Sequence, residues 1–345
     1  DGTRDTEPPK PGAQGPWSLC PENAPRKFFT IHSITLPVTL KPATAKTAAL
    51  VDPIAMLYVL HEEEAEVRSN PKKQVPLVIR GNVYDCVDVI FKNEIPDDAR
   101  TGWSNKINLH PHFFQFDTSA SDGPTIGFSY DMSLRAFTML KDPQPDKGMP
   151  LPGNTVLTAD TKASSRSITV ADTSKFHVNT ELGVGMDDPK YFEVARIKAI
   201  NGKTITFDAP LRHAHKKNDI ASVEFIRERW YVDVDLGTVY WHDHVFGTDT
   251  WGHGLFSAFI TEPPRSTYHD PVSGKEIRSG PVADIHTLEP VSAHIRGSFR
   301  EVMMHIMDSN ARTAELITTD NPQAKVGAVT VDGPPSHQFP EKINK

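Results

Sequence analysis

From residue 28 onward the chain repeats one pattern. Short runs of β-branched and aromatic residues alternate with polar ones, and Gly, Pro, Asn and Asp separate the runs. FFTIHSITLPVTL (28–40) predicts a strand. VPLVIRGNVYDCVDVIFKN (75–93) predicts two strands around a Gly-Asn turn. In the second of these, Val83, Val87, Val89 and Phe91 alternate with polar positions, which predicts one buried face. KINLHPHFFQF (106–116), GFSYDM, LRAFTML, VEFIRERWYVDVD (223–235), TVYWHDHVF and GLFSAFITE (254–262) continue the series. No long stretch carries a helical period. The fold class expected is all-β, a sandwich or barrel.

The spacing of these runs divides the chain. Residues 1–27, with many Pro, Gly and charged residues, read as an extended arm. Residues 28–153 and 225–264 read as one β domain, interrupted by 154–224. The interruption holds SITVADTSKFHV, ELGVGM and FEVARIKAINGKTITFDAPL, short β segments joined by Asn-Gly and similar turns. It resembles a small self-contained β-barrel module of bacterial and phage surface proteins; the alternative is a long structured loop. Residues 265–297 read as a loop-like linker. SFREVMMHIMDSNA then reads as the first strand of a second β domain, 298–345, which the remaining residues are too few to complete.

Composition narrows the partners. The chain has 345 residues, enough for about two domains. Its net charge is −7 and it has no basic stretch, which argues against nucleic acid. The run HEEEAE (61–66) reads as a solvated face. No run of ~18 apolar residues is present, so no membrane span is expected. The opening DGTRDTEPPKPGAQGPW lacks the basic and apolar regions of a signal peptide; either there was none or it has been removed. The two cysteines, Cys20 and Cys86, have no zinc-site spacing. Cys86 reads as a packed strand residue, and a Cys20–Cys86 disulfide is left open.

The histidines carry the chemistry. Residues i and i+2 of a strand share a face, so His-x-His offers two imidazoles to one metal or to adjacent metals. Three such pairs occur: His110/His112, His213/His215 and His242/His244. Imidazole suits copper, zinc, iron and nickel. His213/His215 falls in PLRHAHKKND, a Lys- and Asn-rich turn of the inserted module, and reads as structural or solvent-exposed. His253 reads as supporting the site rather than ligating. His32, His61, His177, His269, His286, His294, His305 and His337 stand alone in sequence and read as structural or surface residues.

NLHPHFFQFDTSASDGP (108–124) resembles the first copper motif of multicopper oxidases, and DLGTVYWHDHVFGTDTWGHGLFSAFITEPP (235–264) resembles their second. The order of motifs and the FREVMMHIMD strand match the N-terminal cupredoxin domain of that family. The match covers roughly 28–140 and 225–310, and is nearest to the large bacterial members linked to manganese oxidation. The resemblance implies a cupredoxin-like Greek-key β-sandwich. It implies a trinuclear copper cluster that reduces O2 to water, held by eight histidines of which this chain supplies four. On that pattern His110 holds the type 2 copper, His112 and His242 share one type 3 copper, and His244 holds the other. Asp122 matches an acidic position near the type 2 copper and is a proton-relay candidate; the alternative is a turn aspartate.

The family's type 1 copper needs a thiolate, from a C-terminal His-Cys-His. Asp243 stands at the equivalent middle position here and cannot give a blue site. Strand alternation points it away from the imidazoles, as an outward hydrogen-bond or salt-bridge partner. The rest of the oxidase, or a partner chain with His-Cys-His, is therefore expected, with Mn(II), Fe(II) or a phenol as reductant. A non-catalytic copper-binding subunit is the alternative, and a zinc hydrolase lacks its motifs. The expected location is secreted, periplasmic or on the cell surface.

Overall fold

The computed structural model describes residues 20–46, 48–96, 106–116, 133–135, 153–188, 190–245, 247–288 and 297–306. The chain is all-β, with a cupredoxin-like sandwich of two four-stranded sheets as its centre. One sheet joins β1 (Arg26–Lys41), β2 (Leu50–Leu60), β4 (Cys86–Asn93) and β12 (Ile226–Tyr231), in the order β12-β4-β1-β2. The other joins β3 (Val78–Asn82), β5 (His110–Pro111), β13 (Thr238–His242) and β14 (Phe256–Glu262), in the order β3-β14-β13-β5. Alternate residues of both sheets fill the space between them, among them Ile31, Tyr58, Phe91, Trp230, Trp241 and Phe259. The disulfide that the sequence left open is formed: Cys20 is bonded to Cys86 and ties the start of β1 to β4.

Two local expectations are corrected. Gly81 and Asn82 lie inside β3 rather than in a turn, and the chain turns at 83–85, where Tyr84 takes a φ of 76°. Gly81 serves close packing: a Cβ there would stand 2.5 Å from the Phe259 ring. The strands on either side do not pair with each other but belong to opposite sheets. Nor is β4 buried on one face only. All eight of its residues are buried, because a second body covers its outer face.

That body is residues 154–222. β6 (Asn154–Val156), β7 (Ser167–Thr169), β8 (Glu181–Val184), β9 (Glu193–Asn201), β10 (Thr204–Phe207) and β11 (Ile220–Ser222) form a six-stranded sheet in the order β6-β11-β8-β9-β10-β7. It has its own core, including Leu157, Ile168, Leu182, Ile197 and Phe207. A smaller cluster of Ile90, Met186, Phe192 and Ile220 seats it on β4.

The span read as a linker is not structureless. β15 (Thr267–His269) and β17 (Phe299–Val302) pair on either side of β16 (Val282–His286) in a three-stranded sheet around Tyr268, Ala283 and Ile285. Runs this short, set among Pro, Ser and Gly, give alternation too little length to stand out. Of the second domain expected over 298–345, the described residues reach only 306. The acidic run is solvated at Glu62 and Glu66, as read, but not at Glu64. α1 (Glu64–Ser69) buries Glu64, whose carboxylate is held by His32 and Arg68. Among the described residues no helix is long and apolar enough to cross a membrane.

Candidate metal centre

One strand pairing brings the two His-x-His segments together. β13 runs antiparallel to β14 on one side and to β5 on the other, with His242 directly opposite His110. Directly opposed residues project their side chains from the same face about 5 Å apart. The His110 and His242 ring centroids are 5.2 Å apart. His112 and His244 lie two residues on, beyond the ends of their strands, yet their rings stay with the group. His110–His112, His110–His244, His112–His242 and His242–His244 centroids are separated by 4.9, 4.3, 5.0 and 5.4 Å. All four predicted imidazoles thus share one place at the edge of the sandwich. His110 and His242 are buried, and His112 and His244 half-buried.

Within this group the donor atoms converge. His110, His112 and His242 each offer a ring nitrogen within 4.8 Å of the others. The Nε2 atoms of His112 and His242 are only 2.8 Å apart. His242 Nδ1 lies 2.7 Å from the Asp243 carbonyl oxygen, which can only accept, so Nδ1 carries the proton. Its Nε2 is therefore a lone pair aimed at His112. Burial, and after it the neighbouring His110, His112 and His244 rings, push the His242 imidazole down to about 3. A neutral imidazole held in one tautomer by a carbonyl is the form in which histidine binds a metal.

Asp243 is buried, with 0% exposure, which corrects the expectation of an outward partner. Its Oδ1 accepts the backbone N–H groups of Asn108 at 3.0 Å and Val245 at 3.2 Å, and its Oδ2 accepts the Thr250 hydroxyl at 2.8 Å. Asn108 returns the connection, its Oδ1 accepting His244 N–H at 2.8 Å. The side chain does point away from the imidazoles, but inward, because the chain leaves β13 and turns beneath the site.

That turn is made by α2 (Gly247–Thr250) and a 3-10 turn, Trp251–His253, neither expected from the strand pattern. Trp251 Nε1 donates to the Asp243 carbonyl at 2.6 Å, and its ring meets the His242 ring edge-on at 4.4 Å. His253 is buried and bonds Asp52 of β2 at 2.9 Å, so it braces the turn and does not join the cluster. Tyr240 lies over the solvent side, 4.7 Å from the His242 ring and 5.5 Å from His112; burial pushes its phenol up to about 12.

The third pair is elsewhere. His215 is buried in the inserted body, bonded to Glu193 at 2.9 Å, and the same carboxylate accepts His213 N–H. Asp122 lies outside the described residues. Asn108, Thr250 and Asp52 carry no sequence signal, since an isolated Asn, Thr or Asp in a β protein is ordinarily a turn or surface residue. Only the packing shows that they hold the histidine segments.

No protein-family model matches the chain, and no curated protein does. Solved structures do. A multicopper oxidase from Pseudomonas thermotolerans matches over 71% of this chain and 31% of its own, with 12% identity and a TM-score of 0.28. A multicopper oxidase from Campylobacter jejuni, described as a metallo-oxidase, matches over 70% and 31%, with 11% identity and a TM-score of 0.22. Copper nitrite reductase from Nitrosomonas europaea matches over 72% and 97%, with 10% identity and a TM-score of 0.17. The chain spans about a third of the length of the two oxidases.

Proposed function

We propose that this chain is the part of a multicopper oxidase that supplies half of the histidine ligands of a trinuclear copper cluster. The observation that carries the reading is the His112–His242 contact. Two ring nitrogens stand 2.8 Å apart, and one is committed as a lone pair by the Asp243 carbonyl. Metal–nitrogen bonds are about 2.0–2.1 Å, so both nitrogens reach a single ion placed between them. The donor set is imidazole alone, which fits copper better than magnesium or calcium. His110 and His244 complete the group, and the type 2 and type 3 assignment of the family gives His110 the first and the other three the second.

Bound copper would supply one-electron redox chemistry and a site for reducing O2 to water. The chain's own residues do the preparatory work. The Asp243 carbonyl and Trp251 fix the His242 ring, Asn108 fixes the segment ahead of His110 and the amide of His244, and Tyr240 covers the imidazoles on the solvent side. Asp122 is the proposed proton relay. Mn(II), Fe(II) or a phenol is the proposed reductant, oxidised at a type 1 copper outside this chain. The buried Cys20–Cys86 disulfide supports an oxidising location: secreted, periplasmic or at the cell surface.

One observation favours a second reading, a copper-binding subunit without turnover of its own. The chain's two cysteines are spent on the disulfide, so it holds no thiolate for a type 1 site. Electron paramagnetic resonance of the Cu(II)-loaded chain separates the possibilities. The oxidase reading expects nitrogen-coordinated copper that is lost in His112→Ala and His242→Ala, and blue absorption with O2 consumption once the His-Cys-His partner is added. Copper retained in both variants would sink the site; copper lost in both but no turnover with the partner would leave the second reading.

A further inference from the structure

The inserted body rests on the sandwich through a set of titratable groups. Lys92 of β4 donates from Nζ to the Met186 carbonyl at 3.0 Å and lies over the Phe192 ring at 4.9 Å. His61, just after β2, donates from Nε2 to the Lys190 carbonyl at 3.0 Å. Behind them His32 of β1 is fully buried. Its Nδ1 faces Glu64 of α1 at 2.8 Å and Glu94 at 3.3 Å. Arg68 of α1 bridges the two carboxylates at 2.7 and 3.3 Å, and Lys92 Nζ is 2.7 Å from Glu94.

Counting charges and protons defines what this seat tolerates. Among the described residues this group sets the Glu64 and Glu94 carboxylates against the Lys92 and Arg68 cations, so these four charges balance when both histidines are neutral. The acceptors assign the tautomers: His32 Nδ1–H toward the carboxylates, His61 Nε2–H toward the carbonyl. The remaining nitrogens, His32 Nε2 and His61 Nδ1, face each other at 3.4 Å. A proton added between them would gain one long N–H···N contact. It would also place a third positive charge beside Lys92 and Arg68, with His32 sealed from water, where like charges repel strongly. Glu62, next to His61, adds a carboxylate whose field favours the proton there. A divalent metal would bring twice the excess charge, so the His32–Glu64–Glu94 grouping is already filled by its own cations.

We propose that this seat is an acid-released clamp: neutral His32 and His61 hold the inserted body on β4, and their protonation undocks it while both folded cores persist. The two cores are separate clusters, joined among the described residues by the small seat of Ile90, Met186, Phe192 and Ile220. Burial, with Lys92 adding to it, holds both imidazoles below their ordinary value, His32 farthest. The docked state then binds fewer protons than the undocked one, so docking is complete above about pH 6.5 and weakens as pH falls below it. Glu181, paired with Arg227 across the same junction, has its carboxyl raised by burial and gains by protonation, so it does not drive the release.

With both native cysteines in the disulfide, Met186→Cys introduces a single free thiol at the buried seat. Its labelling rate is measured from pH 7.5 to 5, relative to the exposed reference Val178→Cys, with circular dichroism followed in parallel. The relative rate is expected to rise roughly tenfold toward pH 5 with the β signal unchanged. Adding His61→Gln, which keeps a donor for the Lys190 carbonyl but takes no proton, is expected to shift the rise to lower pH. A flat ratio, a rise unaffected by His61→Gln, or a rise that coincides with loss of β signal would each overturn the clamp.

Discussion

Asp243 accepts the Asn108 amide on Oδ1 at 3.0 Å, which fastens the residue between the imidazoles of one pair to the segment that leads into the other. Together with the Val245 and Thr250 donors, this makes one buried carboxylate the common anchor of both histidine segments. Asp243→Ala leaves the buried Asn108 and Thr250 donors without this acceptor, at about 1–3 kcal/mol each, along with the half-buried Val245 amide. A loss of at least about 2 kcal/mol in urea unfolding is expected, with smaller loss in Asp243→Asn, which keeps one acceptor oxygen. Equal stability of wild type and Asp243→Ala would show that the anchor is not needed.

Glu228 of β12 is buried in the sandwich core, accepts Trp230 Nε1–H at 2.8 Å, and has its carboxyl pushed up to about 8 by burial. A carboxyl raised in the folded state favours folding less as pH rises. Its full contribution is present below about pH 4.5 and is lost by about pH 8. Glu228→Gln keeps the acceptor for Trp230 and removes the titration. Its stability relative to wild type should increase across that interval, by about 3 kcal/mol at pH 7. Parallel stability-versus-pH curves for the two proteins would contradict the assignment.

The disulfide closes a loop with a sequence separation of 66. Constraining a loop of that length in the unfolded chain contributes about 4 kcal/mol. Replacing both cysteines by alanine should lower stability by that order, measured by denaturant titration, while leaving copper binding at the histidines intact once the protein is folded.

Gly254 ends the turn that carries Trp251 and His253, with a φ of 99°, and a Cβ there would stand 3.1 Å from the Met56 carbonyl oxygen. Gly254→Ala combines a disfavoured backbone conformation with a tight contact, for a cost of about 1–3 kcal/mol. Because the turn supports Trp251 against His242, weaker copper binding should accompany the lower melting temperature. An unchanged affinity would show that the turn does not position the ring.

Much of the fold is legible in alternation. Val87, Val89 and Phe91 do face the sandwich core. What alternation could not show is that Ile90 on the other face is covered too, because its cover, Met186, Phe192 and Ile220, lies about a hundred residues downstream. Within the acidic run at 61–66, Glu64 departs from a solvated face for a related reason. Glu64 is buried only because Arg68, His32 and Lys92 gather around it and Glu94 from three elements.

The site divides in the same way. Residue type and spacing identified three His-x-His pairs, because a metal-binding side chain and the two-residue strand period are local properties; the Lys- and Asn-rich turn around His213/His215 and the resemblance of the other two segments to copper motifs narrowed these to four imidazoles. Their convergence was decided by register: β13 lies beside β5 with His242 opposite His110, and a slip of one residue would have turned one pair to the other face. The inward place of Asp243, the Asn108 and Thr250 contacts and the Cys20–Cys86 bond were likewise settled in three dimensions, since each joins groups brought together by packing between distant strands.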